Sequence, residues 1–414
     1  MVYFCCMAAP TSFTAREVEI QELENNYLIP TYARYPLVID RGRGCWVYDL
    51  EGRRYLDFLS GLGVNALGHA HPRIVKVIRE QAARAIHVSN LYYHPYQGRL
   101  AHRLSRLADM DRAFLCNSGT EAIEGALKIA RLYSQEAKDK FHVVALENSF
   151  HGRTLGALSA TGQAKYRTPF EPLVPGAAFA RFNDLEDLRA KVNEQTSAIL
   201  LEAIQGEGGI FELDADYLRA AEELARRCNA VLIFDEIQCG LGRTGEYFAF
   251  QRSGVKPDIV VTSKPLAAGL PLGAIIAREP VASALTAGMH GTTFGGGPLA
   301  CRVALEFLDI LEQEHLLEHV QRVGAHMRAC LEDLKDHFHF IKTIRGRGLM
   351  LALDLEFPSR PLMLEALHAG LLINSTHDTV LRFLPPFIIR EEEVDRGIRI
   401  LRKLFASYKP APQV

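Results

Sequence analysis

Between Ala230 and Gly273 lie two short apolar runs, Val231 to Phe234 and Ile259 to Val261, each rich in β-branched residues and each ending abruptly at polar groups. Runs of that kind read as buried parallel strands, and ligands of open α/β sheets collect at the carboxyl ends of such strands. The first run ends in Asp235, Glu236, Ile237 and Gln238; the second ends in Ser263 and Lys264, followed by a segment of small residues from Pro265 to Gly273. An acid and a lysine are therefore expected at neighbouring strand ends on one edge of one sheet.

A lysine in a tight apolar loop loses hydration, its ammonium is disfavoured, and the free amine can form a Schiff base. A carboxylate at the next strand end can keep a pyridinium nitrogen protonated, which turns the ring into an electron sink. The pair suggests pyridoxal phosphate. The same residues also fit a solvated lysine and an acid that caps a turn.

The rest of the chain bounds this reading. A length of 414 residues implies one large domain and a smaller one. With 48% hydrophobic and 23% charged residues the composition is that of a globular protein, and a net charge of −2 leaves no basic footprint for nucleic acid or anionic membrane. Eight scattered cysteines without a CxxC pair point to a reduced, cytoplasmic protein. No apolar run reaches transmembrane length. The opening MVYFCCMAAP lacks the basic flank of a signal peptide; it is expected to be disordered, with Met7 an alternative start. A helix is expected over residues 16–30, a β-meander over 38–58, a glycine-rich loop from Gly61 to Pro72, and helices over 73–86 and near 95–108. From Phe114 to Gly273 the runs AFLC, FHVVAL, AILLEAI, AVLIFDE and DIVVTS alternate with amphipathic segments, as βαβ units around a mainly parallel sheet do. A long helical stretch from Pro298 leads into an α+β piece with strands near 349–355 and 380–383 and a last helix near 391–407.

Four further motifs carry polar groups at turns. Ser118, Gly119 and Thr120 stand between a strand and a helix, where exposed N–H groups and hydroxyls suit an anion or an ordinary helix cap. NSFHGRT places Phe150, able to stack on a planar ring, and Arg153, able to grip a carboxylate, on the loop after residues 141–146. EAIQGEGG sets Glu202 and Glu207 at another strand end, or in a plain polar turn. HGTTFGGGP holds Thr292 and Thr293 before a glycine run that opens a helix, suited to phosphate or to a loose loop. Gly240, Gly242 and Gly245 form a lone GxGxxG set off from its strand and without the later acid of a dinucleotide site. No Gly-Lys dipeptide exists to make a P-loop. His315 and His319 fall i, i+4 on the expected helix without the HExxH pattern, and His69 and His71 read as turn residues, so no metal is expected.

These motifs, in this order from about Tyr32 to Pro386, resemble the class III aminotransferases of the fold-type-I pyridoxal phosphate enzymes. The resemblance implies a large domain, residues 73–310, with a mainly parallel seven-stranded sheet, and a smaller α+β domain from residues 1–72 and 311–414. It implies pyridoxal 5'-phosphate on Lys264, with Asp235 at the ring nitrogen, Gln238 at the ring hydroxyl, Phe150 on the ring face, and Ser118, Gly119 and Thr120 at the phosphate. Glu236 and Ile237 belong to the same cofactor set, and Thr293 reaches the phosphate from the partner subunit of a homodimer. PTYARYP, HVSNLYY, NSFHGRT, QGEGG, HGTTFGGGPLA and LRFLPPF resemble most the members that act on N2-acetylornithine with 2-oxoglutarate. Tyr32, Arg153 and Thr292 then face the substrate, and Glu207 and Arg382 form a gate that admits a basic donor and then glutamate. Ornithine, succinylornithine and 4-aminobutyrate aminotransferases, a semialdehyde aminomutase and a catalytically silent binding protein are the alternatives. Pro265 and Gly297 depart from the family, which often has Ala after the lysine and usually Asn before Pro298.

Overall fold

In the computed structural model, which describes residues 13–134 and 139–408, a seven-stranded sheet forms the centre of the chain. The MVYFCCMAAP opening and its alternative start at Met7 lie outside the described residues. The strand order is Arg112–Cys116, Gly273–Ala277, Ile259–Thr262, Val231–Asp235, Thr196–Leu201, His142–Leu146 and Ala177–Ala180. All neighbours run parallel except Gly273–Ala277, which is antiparallel to both of its partners. The three strands Thr196–Leu201, Val231–Asp235 and Ile259–Thr262 are buried at every residue, which is why they read as unbroken apolar runs rather than alternating ones.

The pleat sorts these runs onto two faces. Val231, Ile233, Ile259 and Val261 pack with Ala122, Ile123, Ala126 and Ile129 of the helix Gly119–Tyr133. Leu232, Phe234, Val260 and Ile276 pack on the other side with Val303, Phe307 and Ile310 of the helix Pro298–Gln313. At about 25 cal/mol per Å² of apolar surface removed from water, this double burial is the main driving term.

The meander Ile39–Arg43, Trp46–Asp49 and Arg54–Asp57 does not stand alone: Leu371 and Leu372 pair in parallel with Leu56 and Asp57, so the N-terminal and C-terminal segments share a sheet. A third sheet, in the order Ile341–Arg347, Met350–Leu355, Val380–Phe383 and Asn374–Thr376, carries Arg382. The last helix spans Glu391–Ser407, as expected. Among the described residues no helix is long and apolar enough to cross a membrane.

The structure departs from expectation in three places. The strands Ala177–Ala180 and Gly273–Ala277 add to the five apolar runs; AAFA and GAIIA are short and alanine-rich, a weak strand signal. The first helix ends at Tyr27, and the helix beginning at Pro72 ends at Ala82. The long helical stretch is two helices, Pro298–Gln313 and Leu316–His337, broken at His315, whose backbone is left-handed at φ 50°, ψ 43°. His315 is the N-cap of the second helix and its carbonyl accepts from the His319 N–H at 3.1 Å, while His319 Nε2 lies 2.8 Å from the Ile389 carbonyl.

Gly273 begins the antiparallel strand where it passes beneath the Ser118 turn, and a Cβ there would collide with the Ser118 carbonyl oxygen. Overpacking of this kind costs about 1–3 kcal/mol. Gly273→Ala is expected to lower the melting temperature and to loosen the Ser118–Thr120 turn; an unchanged melt would show that the strand shifts freely.

Candidate active site

The site grows from the pleat at the carboxyl end of Val231–Asp235. Successive residues point to opposite faces, so Asp235 shares the face of Val231 and Ile233, while Glu236 points with Phe234. Asp235 accepts a hydrogen bond from the Ile237 N–H at 3.0 Å and pairs with His151 Nδ1 at 2.8 Å, both side chains almost wholly buried. Glu236, expected among the cofactor residues, has its carboxylate engaged by the N–H groups of Ala249 and Phe250 at 2.9 Å each and by the Cys239 thiol. Burial pushes its pKa up to about 7.

The neighbouring strand pairs Val261 with Asp235, which brings Lys264 to the same edge three residues later. The loop beyond it is tied by Leu266 N–H to Ser263 O at 2.7 Å and Ala268 N–H to Pro265 O at 3.0 Å, so Pro265 fits a closed turn. Burial holds the Lys264 ammonium below the ordinary lysine range; Glu207 is the largest opposing charge, and Arg382 reinforces the burial. No hydrogen-bond partner for Lys264 Nζ is found among the described residues.

Ser118 caps the helix Gly119–Tyr133 by accepting from the Glu121 N–H at 3.3 Å. The first N–H groups of a helix have no internal acceptor and favour an anion. The turn is tight: a Cβ on Gly119 would stand 2.7 Å from the Ile237 side chain, so Ile237 forms the floor beneath it. Thr120 Oγ1 lies 3.0 Å from Thr154 Oγ1, and Gly152, at φ 141°, lets the NSFHGRT loop press against Thr120 where any side chain would collide. On that loop Phe150 is half-buried and meets Tyr166 edge-on, its N–H donating to Glu202 at 3.0 Å. Arg153 is exposed, with its guanidinium 4.0 Å from the Tyr166 ring centroid.

Arg382 and Glu207, 175 positions apart, meet at 2.6 Å. Arg382 is 1% exposed and also donates to Asn374 Oδ1, Gly206 O and Gln238 Oε1. Burial alone would raise the Glu207 carboxyl; Arg382, then Lys264 and Gln238, outweigh it and hold the pKa at about 2. Sequence reasoning did not name His151 or assign Glu202 a role. Glu202 is 5% exposed, its carboxyl held above the usual range mainly by burial, and it accepts from the Phe150 and Gly206 N–H groups. His151 sits inside a motif already singled out, but its partner lies 84 positions away and no local pattern reveals it.

Other expected residues stand further off. Thr292 Oγ1 accepts from Asn117 Nδ2 at 3.0 Å, beside the Ser118 turn, while Thr293 is exposed. Gly297 caps the helix Pro298–Gln313 in extended conformation. Tyr32 is 76% exposed and lines a cavity of about 1080 Å³ with Asp57, Asn65 and His69. A Cβ on Gly269 would lie 3.3 Å from Asn65 Oδ1, so the cavity borders the loop that carries Lys264. The GxGxxG segment is structural: Arg243 within it donates to the Leu349 carbonyl at 3.1 Å and packs over Phe387. His69 Nε2 pairs with Asp57 at 2.8 Å, and His71 precedes the helix Pro72–Ala82.

A flat, anionic pyridine ring fits these residues. The helix start offers free N–H groups to an anion, Asp235 presents a buried carboxylate, His151 Nε2 is buried without a partner, and Lys264 brings an amine whose ammonium form burial disfavours. The family model "Aminotransferase class-III" matches residues 28–405. The acetylornithine aminotransferase of Methanocaldococcus jannaschii is 46% identical over 390 residues, covering 94% of this chain and 98% of that one. That of Aquifex aeolicus is 47% identical over 380 residues, covering 91% and 99%. A crystal structure of the ornithine aminotransferase from Toxoplasma gondii, described as having partial occupancy of PLP at its active site, superposes with a TM-score of 0.91 at 35% identity, covering 94% of each chain.

Removing one member of a buried ion pair leaves an uncompensated charge, at about 3 kcal/mol or more. Arg382→Ala is expected to lower the melting temperature accordingly, and adding Glu207→Gln to recover most of the loss. Equal melting of the single and double variants would assign the cost to lost packing instead.

Proposed function

The chain belongs to the class III aminotransferases, and from that premise we propose that it moves the δ-amino group of N2-acetyl-L-ornithine to 2-oxoglutarate, giving N-acetyl-L-glutamate 5-semialdehyde and L-glutamate, a reaction of arginine biosynthesis. The cofactor is pyridoxal 5'-phosphate. The observation that carries the donor assignment is the Glu207–Arg382 pair beside Lys264. With Arg382 covered, Arg153 is left to bind the donor α-carboxylate, and the distal amine is the end that reaches Lys264. With Arg382 uncovered, a second carboxylate can be held, as glutamate requires.

When bound, the cofactor supplies an electron-poor ring that stabilises charge developing at the amine-bearing carbon. The chain supplies the rest. Lys264 Nζ, with its ammonium disfavoured by burial, attaches the cofactor, then takes up the proton from that carbon and returns one. Asp235, oriented by His151 and the Ile237 N–H, keeps a proton on the ring nitrogen. Gln238 serves the ring hydroxyl, Phe150 the ring face, and Ser118, Gly119 and Thr120 the phosphate. Tyr32 and Thr292 flank the substrate. Thr293, exposed in one protomer, serves the partner's phosphate in a homodimer. Lys264→Ala is expected to lose turnover and borohydride-stable labelling, and co-expression with Thr293→Ala subunits to restore activity through hybrid dimers. Label on another lysine would sink the first role, and no recovery the second.

Likeness to the Toxoplasma ornithine aminotransferase favours free ornithine as the second reading. A free α-ammonium must be solvated in the pocket, whereas an acylated nitrogen carries no charge to desolvate. N-acetylornithine is therefore expected to exceed ornithine in kcat/KM by at least about tenfold, roughly 1.4 kcal/mol in transition-state binding. Glu207→Ala should harm the donor half-reaction more than the glutamate half. Equal or better use of ornithine would overturn the donor and leave the aminotransferase assignment standing.

A further inference from the structure

Away from the site, the helices Leu316–His337 and Glu391–Ser407 pack side by side, and charged pairs run along their seam. Arg322 pairs with Glu391, and Arg402 with Asp333. Each joins residues 69 positions apart, so the helices run parallel and the pairs repeat in register. The rung between them differs. Asp395, also 69 positions from its partner, faces His326 and has no arginine or lysine in ion-pair reach among the described residues. Where its neighbours have a guanidinium, Asp395 has an imidazole and, one turn along the same helix, the thiol of Cys330.

The three groups converge. His326 Nε2 lies 2.7 Å from Asp395 Oδ1 and 3.7 Å from Cys330 Sγ, and Sγ lies 3.9 Å from the same carboxylate oxygen. Both contacts of the imidazole fall on one nitrogen. A proton relay would use opposite ring nitrogens, one toward the thiol and one toward the acid; convergence on a single nitrogen is the arrangement of ligands around a common centre. Bonds of about 2.0 Å to nitrogen or oxygen and 2.3 Å to sulfur, set tetrahedrally, separate ligand atoms by roughly 3.3–3.6 Å. The sulfur distances are already close to this, and the nitrogen–oxygen distance needs to open by only about 0.6 Å. His326 and Cys330 are i, i+4 on one helix and share a face, and Asp395 closes the site from the other helix.

We propose that His326, Cys330 and Asp395 bind a divalent d-block cation of the zinc class, with water as the remaining ligand, so that the metal links the two helices of the C-terminal segment. Thiolate, imidazole and carboxylate are the donor set that zinc and cobalt(II) accept. The metal keeps its oxidation state; as it enters, the Cys330 thiol proton leaves to solvent and the sulfur lone pair makes the new bond. Asp333 adds a second carboxylate near the thiol, and the arginine closest to it, Arg402, is already paired with that carboxylate. Cys330 is the one cysteine among the described residues that is not buried, so the site is open to metal from solution.

The test uses the cofactor-loaded, chelator-treated full chain titrated with zinc and with cobalt(II). One equivalent per chain is expected, with a rise in melting temperature, because a ligand that binds only the folded state stabilises it by mass action. Cys330→Ser and Asp395→Asn should each weaken zinc binding by at least about tenfold, and neither should alter metal-free transamination. Cobalt(II) should give intense d–d bands in the red, clear of the yellow cofactor, and these should collapse in Cys330→Ser. Absence of zinc uptake by the wild type, or equal uptake by wild type and both variants, would overturn the proposal.

Discussion

The parallel pairing of Val231–Asp235 with Ile259–Thr262 is the contact on which the site depends. Its register sets Asp235 opposite Val261 and so places Lys264 at the edge where Asp235 emerges. Because side chains alternate faces, a slip of one residue would put Glu236 where Asp235 stands and turn the carboxylate away from His151 and the Ser118 turn. Burial of both faces opposes that slip, since every apolar residue of the two strands would change sides with it.

Around this edge the chain buries more charge than it neutralises pairwise. Glu202, Asp235, Glu207, Lys264 and Arg382 lie close enough to perturb one another. The tolerated arrangement has two poles. Asp235 is pinned by imidazole and backbone donors, and Glu202 by two backbone N–H groups. Glu207 is pinned by an arginine whose remaining donors go to Asn374, Gly206 and Gln238. An acceptor at every nitrogen of the buried guanidinium is what makes the pair tolerable, because a half-satisfied one is worse than an apolar core. Asn374 does this from the strand next to Arg382, directly across the register, so the sheet that delivers the arginine also orients it.

Much of the site was legible in the chain itself. The strand-end positions of Asp235 and Lys264, the helix start at Ser118, the loop at Phe150 and the last helix at Glu391–Ser407 all follow from short-range patterns: apolar runs, capping residues, glycines at turns. Those patterns are physical constraints acting over a few residues, which is why one sequence exposes them. The strand Gly273–Ala277 escaped because alanine and glycine carry little strand preference, and the break at His315 because a left-handed histidine between two helices has no flanking glycine or proline to announce it.

The sequence by itself determined which groups could do the chemistry: a lysine and an acid at strand ends, hydroxyls at a helix start, an arginine in a C-terminal strand. Only the tertiary structure decided their company. His151 reaches Asp235 across 84 positions, Arg382 reaches Glu207 across 175, and Asp395 reaches His326 across 69. Such pairs are made by the stacking of whole elements, whose energy comes from apolar surface buried elsewhere, so no local pattern in the chain encodes which polar groups will meet.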